Sequence, residues 1–115
     1  MSEQVATPYR QARLEEVKSL IDEGYHVVDV RDDREWAAGH IPGAQHVWIN
    51  SIIANPQAQS FPDRTIFVCE VGSRSTVASE MAVALGTKDV VNFLGGTSAW
   101  RKAGLPLEKP TEDMQ

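Results

Sequence analysis

Apolar positions along this chain fall into two alternating periods. Leu14, Val17, Leu20 and Ile21 recur at helical spacing, and Gly24 follows as a stop. His26-Val27-Val28-Asp29-Val30 is then a compact β-branched run, suited to a strand buried on both faces. Asp32 to Gly39 reads as a short helical turn, with Asp32 or Asp33 as its cap and Gly39 as its end. His40 to Ala44 is a turn-rich connector, and Gln45 to Ile49 a further short strand. Ser51 to Pro62 is irregular, with room for one helical turn. Thr65 to Cys69 is the next strand. Val77, Ala78, Met81, Ala82 and Leu85 share one helix face, which Gly86 ends. Asp89 to Phe93 is the last strand. Gly95-Gly96 breaks the chain, and Thr97 or Ser98 is placed to cap a helix running through Ala103, stopped by Gly104 and Pro106.

Strands alternate with helices, which predicts an α/β fold: a largely parallel sheet with helices on both faces. A length of 115 residues suits one domain, with its core over about residues 9–107. The polar stretch 1–8, which contains Pro8, and the tail 108–115 read as loose ends.

Composition narrows the class. At 42% hydrophobic, the chain can bury a core without metal or disulfide support. The balance of 11 Lys+Arg against 16 Asp+Glu gives a charge of −5, which argues against nonspecific nucleic-acid binding. No window approaches the ~20 apolar residues of a membrane-spanning helix. Met1-Ser2-Glu3-Gln4 has no signal-peptide character. With a single cysteine and no internal disulfide, the expectation is a cytoplasmic protein.

That cysteine, Cys69, carries the candidate chemistry. It ends a strand pattern and opens Glu70-Val71-Gly72-Ser73-Arg74-Ser75, which leads into a helix. A parallel sheet lines up its strand C-termini, so this loop, Asp29-Val30-Arg31 and Gly95-Gly96 converge on one edge. Gly72 lets the backbone curl around Cys69, so that N–H groups of residues 70–75 face the sulfur. A helix starting near Arg74 adds its positive end. Such an environment favours a thiolate, a persulfide or a bound anion. A lone buried cysteine acting as a small hydrophobe is the plainer alternative. Arg74 has two readings: facing an anion at the loop mouth, or bracing the loop against Asp29, Asp33 or Glu35. Ser73 and Ser75 read first as caps or loop bonds.

Four separate stretches resemble the rhodanese domain family. They are Val27-Val28-Asp29-Val30-Arg31, Glu35 to Ala44, Val68 to Ser75, and Asn92 to Trp100, with Ala103-Gly104-Leu105-Pro106 closing the set. The resemblance implies a three-layer α/β/α fold with a five-stranded, mainly parallel sheet. It implies a sulfurtransferase without a cofactor, in which Cys69 takes a sulfane sulfur from a donor such as thiosulfate or a persulfide. Cyanide, a thiol or a protein acceptor then takes the sulfur from the Cys69 persulfide. Cys69 to Arg74 spans six residues, as in sulfurtransferases of this family. Related phosphatases and arsenate reductases resemble a loop one residue longer, whose register would put arginine at Ser75. A partner-docked, non-catalytic sulfur-carrier module is the other alternative.

Glu70 departs from the pattern. A carboxylate beside the thiol opposes the thiolate and repels a dianionic donor, so weak thiosulfate affinity is expected. Asp29, Arg31 and Glu35 are expected to support the loop by ion pairing rather than to react. Asp32-Asp33-Arg34-Glu35 reads as a solvated charged face. His26, His40 and His46 lack zinc-ligand spacing with Cys69, so no metal is expected. His40 is expected to bond backbone, and Trp100 to pack beneath the active edge.

Overall fold

The computed structural model describes residues 8–110 of the chain. Five strands form one sheet: β1 (Arg10–Ala12), β2 (His26–Asp29), β3 (Gln45–His46), β4 (Thr65–Val68) and β5 (Val90–Phe93). Their order is β1-β5-β4-β2-β3, and every pairing is parallel. The helices are α1 (Leu14–Asp22), α2 (Asp33–Ala38), α3 (Ile49–Ala54), α4 (Ser73–Ala84) and α5 (Gly96–Lys102), with a 3₁₀ turn at Pro56–Ala58.

The three central strands are buried at nearly every position, as their β-branched composition requires of strands covered on both faces. Alternation along them divides the core in two. Val28, Phe67 and Val90 point to one face and pack with Ile52, Ala78 and Ala82 of α3 and α4. Val27, Ile66, Val68, Val91 and Phe93 point to the other, against Val17 and Leu20 of α1 and Trp100 of α5. Trp100 thus packs as expected, and its indole N–H donates to the Pro106 carbonyl at 2.7 Å. This is the three-layer α/β/α arrangement.

Several boundaries differ from the sequence pattern. β1 had no strand signal of its own: two of its three residues are exposed, because it lies at the sheet edge beside β5. β3 is two residues long, since the chain turns into α3 at Ile49. The region after Ser51 is more helical than expected, with α3 followed by the 3₁₀ turn. Glu108 is not loose: its N–H and carbonyl both bond His40, each at 2.8 Å. The remaining end positions, 1–7 and 111–115, lie outside the described residues.

α5 begins earlier than its capping residues suggested. Gly95 is at its N-cap and Gly96 opens it, so Thr97 and Ser98 lie within the first turn. Gly96 has φ +61°, and a Cβ there would collide with the Cys69 carbonyl oxygen and the Glu70 backbone. Gly24 also has positive φ, but nothing lies within 4 Å of its would-be Cβ. Gly24→Ala should therefore cost about 1 kcal/mol, the backbone penalty alone. Gly96→Ala should cost about 3 kcal/mol, because loop and helix must also separate. Urea unfolding of the two variants checks this, and equal costs would contradict the close approach.

Candidate active site

β4 ends at Val68, so Cys69 is the first residue of the loop that leads to α4. Its side chain is fully buried at the loop floor. Two N–H donors and one hydroxyl, which donates when Sγ is a thiolate, surround Sγ. The Gly72 N–H lies at 3.1 Å, the Ser75 N–H at 3.4 Å and the Ser75 hydroxyl at 3.4 Å. Of the backbone N–H groups in residues 70–75, these two are the ones that reach the sulfur. Ser75 is buried and meets the sulfur directly, which exceeds the capping role expected of it. Ser73 is exposed at the start of α4 and Val71 is exposed on the loop; neither touches the sulfur through its side chain.

Gly72 makes this curl possible. It sits at the N-cap of α4 with φ +99°, and a Cβ there would strike the Leu94 carbonyl oxygen. Its own carbonyl accepts from the Thr76 hydroxyl at 2.8 Å. The twelve-residue α4 therefore points its N-terminus at the loop, where its dipole favours negative charge. From the other side, α5 fixes the loop's first peptides: the Thr97 N–H donates to the Cys69 carbonyl at 2.9 Å, and the Ser98 N–H to the Glu70 carbonyl at 3.0 Å.

Arg31 is almost fully buried and holds three segments together. Its Nε and Nη2 grip the Asp29 carboxylate at 2.8 to 3.1 Å, Nη2 also donates to the Gly39 carbonyl at 2.7 Å, and Nη1 reaches Glu70 at 3.2 Å. Burial is the largest single influence and opposes its charge, but the Asp29 hydrogen bonds together with the charges of Asp29, Glu70 and Glu35 outweigh it and raise its pKa. Asp29 and Arg31 thus brace the loop by ion pairing. His46 accompanies them, with Nε2 2.7 Å from the Arg31 carbonyl oxygen, in a stack with Trp36 and His40. His40 bonds backbone as expected, its Nδ1 lying 3.0 Å from the Trp36 carbonyl oxygen.

Arg74 takes the bracing role of its two readings, with Glu35 as partner. The contacts are bidentate, at 2.7 and 2.8 Å. The Arg74 hydrogen bonds hold the Glu35 carboxyl at about 2. In turn the Glu35 hydrogen bond raises the Arg74 pKa, with a smaller contribution from the nearby Cys69. The expectation of a solvated charged face at 32–35 holds for the exposed Asp33 and Arg34 and needs correction for Asp32 and Glu35. Asp32 caps α2 in a reciprocal capping box with Glu35, and Glu35 faces the loop.

Glu70 is not the bare carboxylate expected at the mouth. Besides Arg31, it accepts from Arg101 of α5 at 2.8 Å, and the Arg101 hydrogen bond leads the causes that lower its pKa. Arg101 was missed from sequence because its partner is 31 positions away. The signal was its place one turn beyond Ser98, on a helix starting at the active edge.

A buried thiol just past the end of a parallel strand, a glycine-curled loop, and an arginine at the sixth position counted from the thiol, in the first turn of the next helix, make the arrangement of the rhodanese-like class. The chain belongs to the rhodanese-like domain family, which it matches over residues 13–103. It is similar to the thiosulfate sulfurtransferase GlpE of Pseudomonas fluorescens, with 38% identity covering 76% of this chain and 80% of that one. Among solved structures it resembles a rhodanese-like domain protein from Staphylococcus aureus (33% identity, TM-score 0.74, 89% and 99% coverage). It also resembles the human single-domain sulfurtransferase TSTD1 (26% identity, TM-score 0.72, 84% and 97% coverage). Among the described residues, no helix is long and apolar enough to cross a membrane.

The Glu35–Arg74 pair makes a pH prediction. The carboxyl titrates at about 2 in the fold, against 4.5 ordinarily, so its contribution is fully present above about pH 4.5. It is lost as pH falls from there through about 2. Glu35→Gln should cost on the order of 1–2 kcal/mol at neutral pH, a value reduced by solvent screening of a partly exposed pair. Urea unfolding of both proteins across this range should show the gap closing below about pH 4.5. A gap that stays constant would contradict the pairing.

Proposed function

We propose that the protein is a sulfurtransferase that carries a sulfane sulfur on Cys69 as a persulfide. The observation that supports this most directly is the set of three donors around Sγ, from Gly72 and Ser75. They stabilise negative sulfur without a metal or a general base.

The chemistry follows from that environment. The Cys69 thiolate attacks the outer sulfur of a donor, for which thiosulfate is the simplest case. The S–S bond of thiosulfate breaks, its electron pair leaves with sulfite, and a Cys69–S–S⁻ persulfide forms. Total charge is unchanged by the step. A thiophilic acceptor then attacks the outer persulfide sulfur; cyanide leaves as thiocyanate and the thiolate is restored. A thiol or a protein acceptor would take the sulfur in the same way. The similarity to relatives named thiosulfate sulfurtransferase supports this donor class, and the six-residue span from Cys69 to Arg74 supports sulfur over phosphate.

Intact-mass measurement after thiosulfate treatment should show one added sulfur atom on the wild type and none on Cys69→Ser. Cyanide should remove it as an equimolar amount of thiocyanate. Ser75→Ala, which deletes one of the three donors, should lower kcat about tenfold. Absence of both the sulfur adduct and thiocyanate in the wild type would overturn the reading.

A further inference from the structure

Three guanidinium groups surround the Cys69 loop, and they are held very differently. Arg31 is almost fully buried, and contacts to Asp29, Gly39 and Glu70 engage its Nε and both Nη groups. Arg74 is locked end-on to Glu35 by two short hydrogen bonds. Arg101 is different: its side chain is 48% exposed, and one hydrogen bond of 2.8 Å to Glu70 holds it. An exposed single-contact pair of this kind contributes little and re-forms easily with another anion. Among these three, Arg101 is therefore the cation that can exchange partners without dismantling the loop.

Its placement suits that exchange. The helical turn before it delivers the Thr97 and Ser98 N–H groups to the Cys69 and Glu70 carbonyls. Side chains on a helix lean back toward its N-terminus, so Arg101 lies over that turn, toward the residues bonded there. Its contact with Glu70, the residue after the thiol, shows that it reaches the loop. Glu70 does not become an unpaired charge if Arg101 departs, because its other oxygen remains 3.2 Å from Arg31.

We propose that Arg101 is the donor-recognition residue of this site: it leaves Glu70 to pair with the anionic head of the sulfur donor. Glu70 is then a competitor, holding Arg101 until a donor carrying negative charge beside the transferable sulfur displaces it. The substrate class is sulfane-sulfur donors with an anionic oxyanion head, thiosulfate and thiosulfonates, in preference to donors without that head, such as alkyl hydropersulfides. This proposal rests on the sulfurtransferase reading and adds a residue and a selectivity to it.

The test is steady-state kinetics with cyanide as acceptor, using thiosulfate and an alkyl hydropersulfide as donors. The hydropersulfide gives its terminal sulfur to the Cys69 thiolate and leaves as the thiol, so both donors form the same persulfide. In Arg101→Gln the KM for thiosulfate should rise about tenfold with kcat little affected, and Arg101→Lys should recover most of the loss. The thiosulfate-to-hydropersulfide ratio of kcat/KM should fall about tenfold with it. Glu70→Gln should lower the thiosulfate KM about threefold, and this gain should vanish in the Glu70→Gln/Arg101→Gln double variant, since the two residues act as a pair. An unmoved ratio, or equal weakening with both donors, overturns the proposal and leaves Arg101 a support of the loop. A Glu70→Gln gain that survives in the double variant also overturns it, because Glu70 would then repel the donor directly. Intact mass on each variant separates the two levels. No sulfur on wild-type Cys69 from either donor removes the sulfurtransferase reading itself, whereas sulfur on Cys69 with an unmoved ratio removes the role of Arg101 alone.

Discussion

The active edge is organised around the buried guanidinium of Arg31. It joins the end of β2 through Asp29, the end of α2 through the Gly39 carbonyl and the thiol loop through Glu70. A charge this deep is tolerated only when paired and hydrogen-bonded, and removing one partner of a buried pair costs about 3–5 kcal/mol. The constraint runs both ways. Asp29 and Arg31 must lie two residues apart at the end of a central strand, and α2 must end at Gly39 with its carbonyl turned inward. The Trp36–His40–His46 stack, bonded to the Arg31 carbonyl, supports the same corner from the sheet edge. The position of the loop is thus set by a charge cluster as much as by apolar packing.

How much of this was legible in the sequence depends on where each element gets its stability. β2, β4 and β5 are central, so both faces must be apolar and their β-branched runs are conspicuous. β1 was silent because an edge strand of Arg10, Gln11 and Ala12 buries one residue and is held by backbone pairing with β5. The N-cap of α2 was readable as Asp32 followed three positions later by Glu35. What could not be read was which surface charges meet. Glu35 and Arg74 are 39 residues apart and Glu70 and Arg101 are 31 apart, so only the folded sheet brings them together. Local sequence located the thiol, its glycine and its loop, and offered Glu35 among three partners for Arg74; that Glu35 takes it, and that Arg101 meets Glu70, was tertiary information.

The glycines near the site show the same division. Gly72 could be assigned to a tight curl from the motif alone, but the reason it is needed is the Leu94 carbonyl pressing from the end of β5. Gly96 looked like a chain break before a helix. Its function is to let α5 approach so closely that its first N–H groups bond the Cys69 and Glu70 carbonyls. Those carbonyls turn toward α5 while the Gly72 and Ser75 N–H groups turn toward the sulfur. The two sets belong to different peptides: the carbonyls open the loop, and the N–H groups follow later in it. The α5 bonds thus anchor the start of the loop, next to the segment that carries the donors.

The charge count then identifies what holds the sulfur. Around the loop, Asp29, Glu35 and Glu70 face Arg31, Arg74 and Arg101, and each carboxylate has a guanidinium within hydrogen-bonding distance. The formal charges cancel, so this set offers no net cation to a thiolate or a persulfide. The remaining attraction comes from fixed dipoles: two N–H groups, one hydroxyl and the N-terminus of α4, all directed at a fully buried sulfur. Dipoles locked by the fold do not have to reorganise when sulfur gains charge, and in a buried site they are not screened by water. A neutral frame of ion pairs around an anion-favouring nest separates two tasks. The pairs fix the geometry, and the backbone supplies the electrostatics that favour negative charge on the sulfur.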